Sequence, residues 1–330
     1  MGKVLILTDG KAGHENQSKA FARALGCEFD LVEVHFKSKG HKALSYLLDH
    51  LGFRLPSLLR FCTPIFGQSN NRTIKQSTNR PIDQSEQSNN DYLAVLGTGS
   101  GTFYAAKAVA RTLGVKCGVV LYPRGYDIAS FDCVLAPAFD RPKKAANVIE
   151  IPANLVASDE AFYEKGVAAF RERTAVSPEI AVIVGGPNKC STMTADWMKA
   201  QLDAVFKSPG AKAVTTSRRT PPEVEAVVDS YPWDYKLLYS KDHFNPIPAF
   251  VKLAKRLYVT AESTGMLSEA CTFGTAEVVA LDNLKPGPHK FRRFVEDLRK
   301  AGYVDGSRKV DLSAQFARAK ALMGPFPAGG

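Results

Sequence analysis

Three stretches carry residues able to do chemistry. In the first, the apolar run Lys3–Thr8 leads into Asp9-Gly10-Lys11-Ala12-Gly13-His14-Glu15-Asn16-Gln17. A loop at the carboxyl tip of a first strand faces the ligand crevice of an open α/β sheet. His14 is a candidate general base there, because imidazole titrates near neutral pH; Asp9 is the competing base. The alternative is that His14, Glu15 and Asn16 only cap the helix running to Leu25. In the second stretch, the strand Ala211–Thr216 leads to Ser217-Arg218-Arg219-Thr220-Pro221. Two arginines in that place can clamp a diphosphate and meet the charge of a leaving group. A purely structural role is disfavoured, since cations oppose the dipole of a helix start. The third stretch, Arg256–Leu281, reads strand, turn, helix, turn, strand. Ser263 or Thr264 can cap its helix, and Gly274 ends it. That helix N-terminus suits phosphate, and Glu269, about one turn deeper, can accept hydrogen bonds from sugar hydroxyls. Met266, Ala270 and Phe273 are spaced to form its buried face.

These loops need strands and helices behind them. Short apolar, β-branched runs without polar alternation at Leu257–Thr260 and Glu277–Leu281 read as buried parallel strands, and further strands are predicted at Phe29–His35, Tyr92–Leu96, Lys116–Leu121, Phe131–Ala136, Asn147–Ile151, Glu179–Val184 and Tyr235–Tyr239. Glycine turns mark two strand tips. Gly97-Thr98-Gly99-Ser100-Gly101-Thr102 opens a helix to Leu113, and Gly185-Gly186 lets backbone approach a diphosphate closely. No G-x-G-x-x-G follows the first strand, so a dinucleotide fingerprint is absent. Helices are predicted over Asp159–Arg173, after Thr194 with Trp197, Gln201, Leu202 and Val205 on one face, over Asn245–Lys255 and Lys290–Lys300, and over Leu312–Met323 with Phe316, Ala319, Leu322 and Met323 inward.

The 330-residue chain suggests two ordinary domains, and 45% apolar with 23% charged residues describes a globular protein. The sequence holds no apolar run long enough to span a membrane, and its N-terminus does not read as a signal peptide. The six cysteines (Cys27, Cys62, Cys117, Cys133, Cys190, Cys271) form no C-x-x-C pair, so reduced thiols in a cytoplasmic protein and no zinc site are expected. The net charge of +10 fits phosphorylated ligands or an anionic membrane surface. Nucleic acid is disfavoured, because no segment interleaves aromatics with bases. His41–Leu51 and Leu55–Phe66 read as core helices; the alternative is an apolar surface edged by Lys39, Lys42, Arg54 and Arg60 that rests on a bilayer. Residues 68–90 repeat with a period of eight (Gln68, Gln76, Gln84; Ser69, Ser77, Ser85), and Ile74 and Ile82 are their only large apolar residues. Such a segment predicts a disordered insertion without catalytic role.

Val259, Thr260, Ala261, Ser263, Met266, Ser268, Glu269 and Ala270 match V-T-A-D-S-x-S-M-x-S-E-A. This pattern is the donor-side signature of the "elongated mitochondria" family, named for a plant mitochondrial-fission factor with many bacterial relatives. Glu262 replaces the family's aspartate, Gly265 replaces a serine, and Phe273–Glu277 departs from T-G-x-P-V. The D-G-x-x-G-H-E-N-Q loop, the T-S-R-R-T-P element, the Gly97-x-Gly99-x-x-Thr102 turn and Asn245-Pro246 resemble further family elements in the same order. Bacterial members are regarded as candidate glycosyltransferases. The resemblance therefore implies an α/β protein of two Rossmann-like domains facing a central cleft (GT-B-like).

The expected layout is residues 1–175 as acceptor domain, 176–310 as donor domain, and 311–330 as a terminal helix and tail packed back on the first. The implied activity is metal-independent, inverting sugar transfer from a nucleotide-sugar donor to a cell-envelope, lipid-linked acceptor. It needs no cofactor and takes place in the cytoplasm or peripherally at the inner membrane. His14 or Asp9 would be the base. Gly13, Glu15, Asn16, Gln17, Gly97, Gly99 and Thr102 would hold acceptor or phosphate. Gly185, Gly186, Ser217, Arg218, Arg219, Asn245, Ser263, Ser268 and Glu269 would hold the donor. Alternatives are a nucleotide-sugar epimerase of the same fold, or a non-catalytic membrane-surface adaptor like the plant fission factor.

Overall fold

The computed structural model describes residues 2–62 and 92–324, so the eight-residue repeat lies outside the described residues. The chain divides into two units, Met1–Ile151 with Leu312–Gly330, and Pro152–Asp311. Both are built of parallel strands with helical crossovers.

In the first unit β1 (Lys3–Thr8), β2 (Glu28–Phe36), β3 (Leu59–Phe61), β4 (Tyr92–Thr98), β5 (Lys116–Val120), β6 (Cys133–Pro137) and β7 (Val148–Ile151) form one sheet. Its order is β3-β2-β1-β4-β5-β6-β7, parallel except for β3 at the edge. The central strands are apolar because both faces are covered: Val4, Ile6, Val95, Leu96 and Val134 are fully buried. Helices α1 (Ala12–Leu25), α2 (Lys39–His50) and α3 (Phe103–Leu113) follow β1, β2 and β4.

The second unit holds β8 (Ile180–Ile183), β9 (Lys212–Thr215), β10 (Tyr235–Leu237), β11 (Arg256–Thr260) and β12 (Glu277–Leu281), all parallel, in the order β10-β9-β8-β11-β12. Its helices are α4 (Glu160–Arg173), α5 (Ala195–Val205), α6 (Pro222–Asp229), α7 (Ile247–Leu253), α8 (Thr264–Phe273) and α9 (Lys290–Lys300). The last helix, α10 (Ser313–Met323), lies on β5, β6, β7 and α1 of the first unit, where the Arg318 guanidinium donates to the Ala146 carbonyl at 2.8 Å. In each sheet the strand order reverses beside the first strand, between β1 and β4 and between β8 and β11. Ligands of open α/β sheets bind outside the carboxyl ends of strands at such a point. Among the described residues no helix is long and apolar enough to cross a membrane.

Several local expectations are corrected. The unit boundary falls at Ile151, not near residue 175, because α4 packs on α7 so closely that a Cβ on Gly166 would lie 2.4 Å from Pro248. Leu55–Phe66 is not a helix within its described part. Pro56 opens a single tight turn, and Leu59–Phe61 then pairs antiparallel with β2. The buried face of α8 is Leu267, Ser268, Ala270 and Cys271, about one residue round from the expected stripe. The rotation follows from a second neighbour: the Val310 amide donates to the Cys271 carbonyl, and the Cys271 thiol donates to the Tyr303 carbonyl. In α5 the buried set is Met198, Leu202 and Val205, and in α10 it is Ala319 and Met323.

Candidate functional site

The first switch point is built from two neighbouring loops. Asp9 follows β1, and His14 sits in the first turn of α1. The His14 Nδ1 lies 3.0 and 3.1 Å from the two Asp9 carboxylate oxygens, and the Lys11 ammonium lies 2.6 Å from Oδ2. Burial alone would raise the Asp9 pKa, but hydrogen bonds from His14 and Lys11 outweigh it and hold the carboxyl well below its usual range. Asp9 is therefore an acceptor only, so Nδ1 carries the hydrogen and Nε2 of a neutral ring is left as the proton acceptor. The Asp9 side chain is 7% exposed and that of His14 24%, so solvent reaches the pair through the imidazole.

The β4–α3 turn closes over this pair. A Cβ on Gly99 would lie 2.4 Å from His14 Cε1, and one on Gly101 would lie 2.8 Å from Asp9 Cβ. Gly99 also has φ of +84°, which an L side chain rarely adopts. The two loops are tied below by the Ser18 and Thr98 hydroxyls, 2.7 Å apart and buried. Thr102 is buried and donates its hydroxyl to the Gly99 carbonyl. A Cβ on Gly97 would meet that hydroxyl at 2.8 Å. The Gly99 amide is spent on the Val120 carbonyl. The Ser100 hydroxyl accepts from the Lys42 ammonium at 2.9 Å.

The second switch point is organised by a buried acid. Glu262, 2% exposed, follows β11. Its Oε1 accepts from the Gly186 amide at 2.8 Å and from the Thr260 hydroxyl at 3.0 Å; its Oε2 accepts from the Asn283 amide at 2.8 Å. Burial raises its pKa, and those hydrogen bonds oppose the rise. The Gly185 amide donates to the Thr260 hydroxyl at 2.9 Å. Both glycine amides are thus taken by protein acceptors, which corrects the expectation that they face a diphosphate. Their missing side chains make room for protein: a Cβ on Gly185 would lie 2.1 Å from Glu262 Oε1, and one on Gly186 2.2 Å from the Arg219 carbonyl oxygen.

Arg218 and Arg219 are exposed and have no ion-pair partner among the described residues. Their turn is bolted to the loop after β8 by the Thr220 hydroxyl, which donates to the Gly185 carbonyl at 2.6 Å, and is closed on itself by the Ser217 amide, which donates to Thr220 Oγ1. Ser263 is half-buried and makes no side-chain cap on α8, and its carbonyl accepts from the Leu267 amide.

The remaining candidates have structural partners. Ser268 is fully buried; its hydroxyl donates to the Thr264 carbonyl and accepts from the Asn154 amide. Its expected place beside phosphate or ribose is corrected by that burial. Glu269 Oε1 accepts from the Tyr163 hydroxyl at 2.8 Å, and burial raises its pKa. Asn245 Oδ1, just ahead of α7, accepts from the Ile247 amide. Glu15 pairs with Lys19, Gln17 donates to the Gly13 carbonyl, and Asn16 is exposed. Sequence reasoning missed Glu262, taken as a mere departure from aspartate. Its signal was an acid two residues past an apolar strand. The coupling of Asp9 to His14, read as rivals, had only its five-residue spacing as a signal.

Set against known proteins, residues 12–318 match the sequence model of a family described as Mitochondrial fission ELM1. The Mitochondrial fission protein ELM1 of Arabidopsis thaliana is 23% identical over 360 residues, covering 92% of this chain and 83% of that protein. Among solved structures, Arabidopsis thaliana UGT89C1 complexed with UDP superposes with a TM-score of 0.52 at 12% identity, over 98% of this chain and 90% of that one. A structure from Listeria monocytogenes described as a candidate UDP-N-acetylglucosamine 2-epimerase gives 0.51 at 11% identity, over 99% and 92%. These likenesses show the fold, the two Rossmann-like domains of GT-B glycosyltransferases and epimerases.

Proposed function

The chain belongs to the mitochondrial fission ELM1 family, and from that premise we propose that it is a metal-independent, inverting glycosyltransferase using a nucleotide-sugar donor. The observation that carries this reading is the Asp9–His14 pair, set at a switch point with Nε2 left to accept a proton. In the proposed reaction His14 Nε2 takes the proton of an acceptor hydroxyl as that oxygen attacks the anomeric carbon. The bond to the diphosphate breaks with inversion, and the nucleoside diphosphate leaves. Asp9 holds the ring tautomer and stabilises the imidazolium. Within the second unit, Arg218, Arg219 and the uncapped start of α8 are the groups proposed to bind the phosphates of a nucleotide.

The solved UGT89C1 complexes contain UDP and UDP-L-rhamnose, which makes a uridine nucleotide the first donor to try. The net charge of +10 supports a lipid-linked, cell-envelope acceptor and a peripheral place at an anionic membrane. The deciding experiment is a thermal-shift screen of the full chain against nucleoside diphosphates, followed by product analysis with UDP-sugars. A midpoint raised by one nucleotide, and lost in Arg218→Ala, supports the reading. Conversion of a UDP-sugar to its epimer without acceptor would transfer the assignment to an epimerase. No shift with any nucleotide would favour the adaptor role.

A further inference from the structure

We propose that the outer face of α2 and the loop after it is a docking surface for a bilayer rich in anionic lipid. The polarity of α2 is inverted. Its buried positions are Ser45 and Asp49, while Leu44 and Leu47 are 43% and 59% exposed. The loop continues the apolar surface with Leu51 at 61%, Phe53 at 53% and Leu55 at 41%.

This orientation is enforced from within. Asp49 accepts from both sides of a buried cluster: the Lys107 ammonium reaches both its oxygens at 2.9 Å, and Arg54 Nη1 lies 3.3 Å from Oδ1. The Asp127 amide donates to Oδ2 at 2.6 Å, and the Ser45 hydroxyl lies 3.2 Å from that of Tyr126. The loop is equally fixed. The buried Tyr104 hydroxyl donates to the Phe53 carbonyl and accepts from the Leu55 amide. Turning α2 to hide its leucines would orphan a buried carboxylate and ammonium, so the leucines stay outside. A large exposed apolar surface of this kind marks an interaction site.

Charge selects the occupant. Between residues 37 and 61 there are five Lys or Arg, and the one carboxylate, Asp49, is buried and paired. Lys37, Lys39 and Arg60 are exposed and without ion-pair partners among the described residues; Arg111 reaches the Gly52 carbonyl beside the loop. Apolar residues to enter the headgroup boundary, with bases around them, match an anionic bilayer rather than a neutral protein groove. The surface deepens the membrane placement proposed above, yet it does not depend on sugar transfer.

The test is flotation of the full chain with phosphatidylcholine vesicles, with and without phosphatidylglycerol, at low and high salt. Binding to the anionic vesicles alone is expected. It should fall by at least tenfold in Leu47→Glu/Phe53→Glu and about fivefold for each of Lys39→Ala and Arg60→Ala at low salt. Nucleotide thermal shifts should be unchanged in these variants, which separates failure of the surface from failure of the donor site. Wild-type protein that does not float with anionic vesicles, or a double variant that floats equally well, overturns the proposal. So does a lipid-independent dimer that Leu47→Glu dissociates, since the face would then be an interface between copies.

Discussion

The two switch points share a plan and differ in what they do with their carboxylate. Both set a glycine turn against the next loop along the sheet, and in both the missing Cβ admits protein atoms at under 3 Å. In the first unit the acid is Asp9, held ionised and turned toward an imidazole that solvent reaches. In the second it is Glu262, sealed among the Gly186 amide, the Thr260 hydroxyl and Asn283, with its pKa raised by burial. One acid orients an imidazole; the other braces loops whose outer residues, Arg218 and Arg219, meet the solvent. The same fold thus gives its two carboxylates different surroundings through the company each keeps.

The largest test of that contrast is His14→Ala. It should lower turnover by about 10²–10⁴-fold, measured as nucleoside diphosphate release, while leaving nucleotide thermal shifts intact. Gly99→Ala should lose a comparable amount of activity, because its Cβ would occupy the place of the imidazole edge. Next comes Glu262→Ala, which orphans the Gly186 and Asn283 donors and should cost about 2–4 kcal/mol in denaturant unfolding. Glu262→Gln retains an acceptor and should cost less. Arg218→Ala is expected to weaken nucleotide binding by about tenfold, or about 1.4 kcal/mol, with wild-type stability.

The finest test is pH, where the two acids carry opposite signs. The folded pKa of Asp9 lies below its ordinary 3.8, so its stabilisation is present above that value and lost as pH falls through the folded one. The folded pKa of Glu262 lies above its ordinary 4.5, so its contribution is fully present below that value and lost as pH rises through the folded one. Asp9→Asn should flatten the acid limb of the stability curve. Glu262→Gln should flatten the limb just above pH 4.5. The same response in both variants would erase the distinction.

Local pattern was enough for elements whose environment is one-sided. The basic helix Lys290–Lys300, which turns Phe294, Val295 and Leu298 inward, and the buried run Lys3–Thr8 could be placed from local pattern alone. It failed where a distant partner decides. The inward face of α2 is set by Lys107, 58 residues from Asp49, and no window around α2 contains that fact. The roll of α8 depends on the backbone at Tyr303 and Val310. At the sites, residue types marked the loops, but whether an amide was free or spent depended on a neighbouring strand's tip. Gly185 and Gly186 carried the composition of a phosphate turn and proved to be engaged with Thr260 and Glu262.

The return of α10 to the first unit has a consequence for biosynthesis. A Cβ on Gly118 would strike both Phe21 and Met323, so the middle of the first sheet is finished by a side chain just over two hundred residues later in the chain. As the polypeptide leaves the ribosome, Pro152–Asp311 can close on itself while the earlier half still waits for its cover. The part of the protein made first is therefore the part completed last, and during that interval its open flank depends on chaperones or on speed.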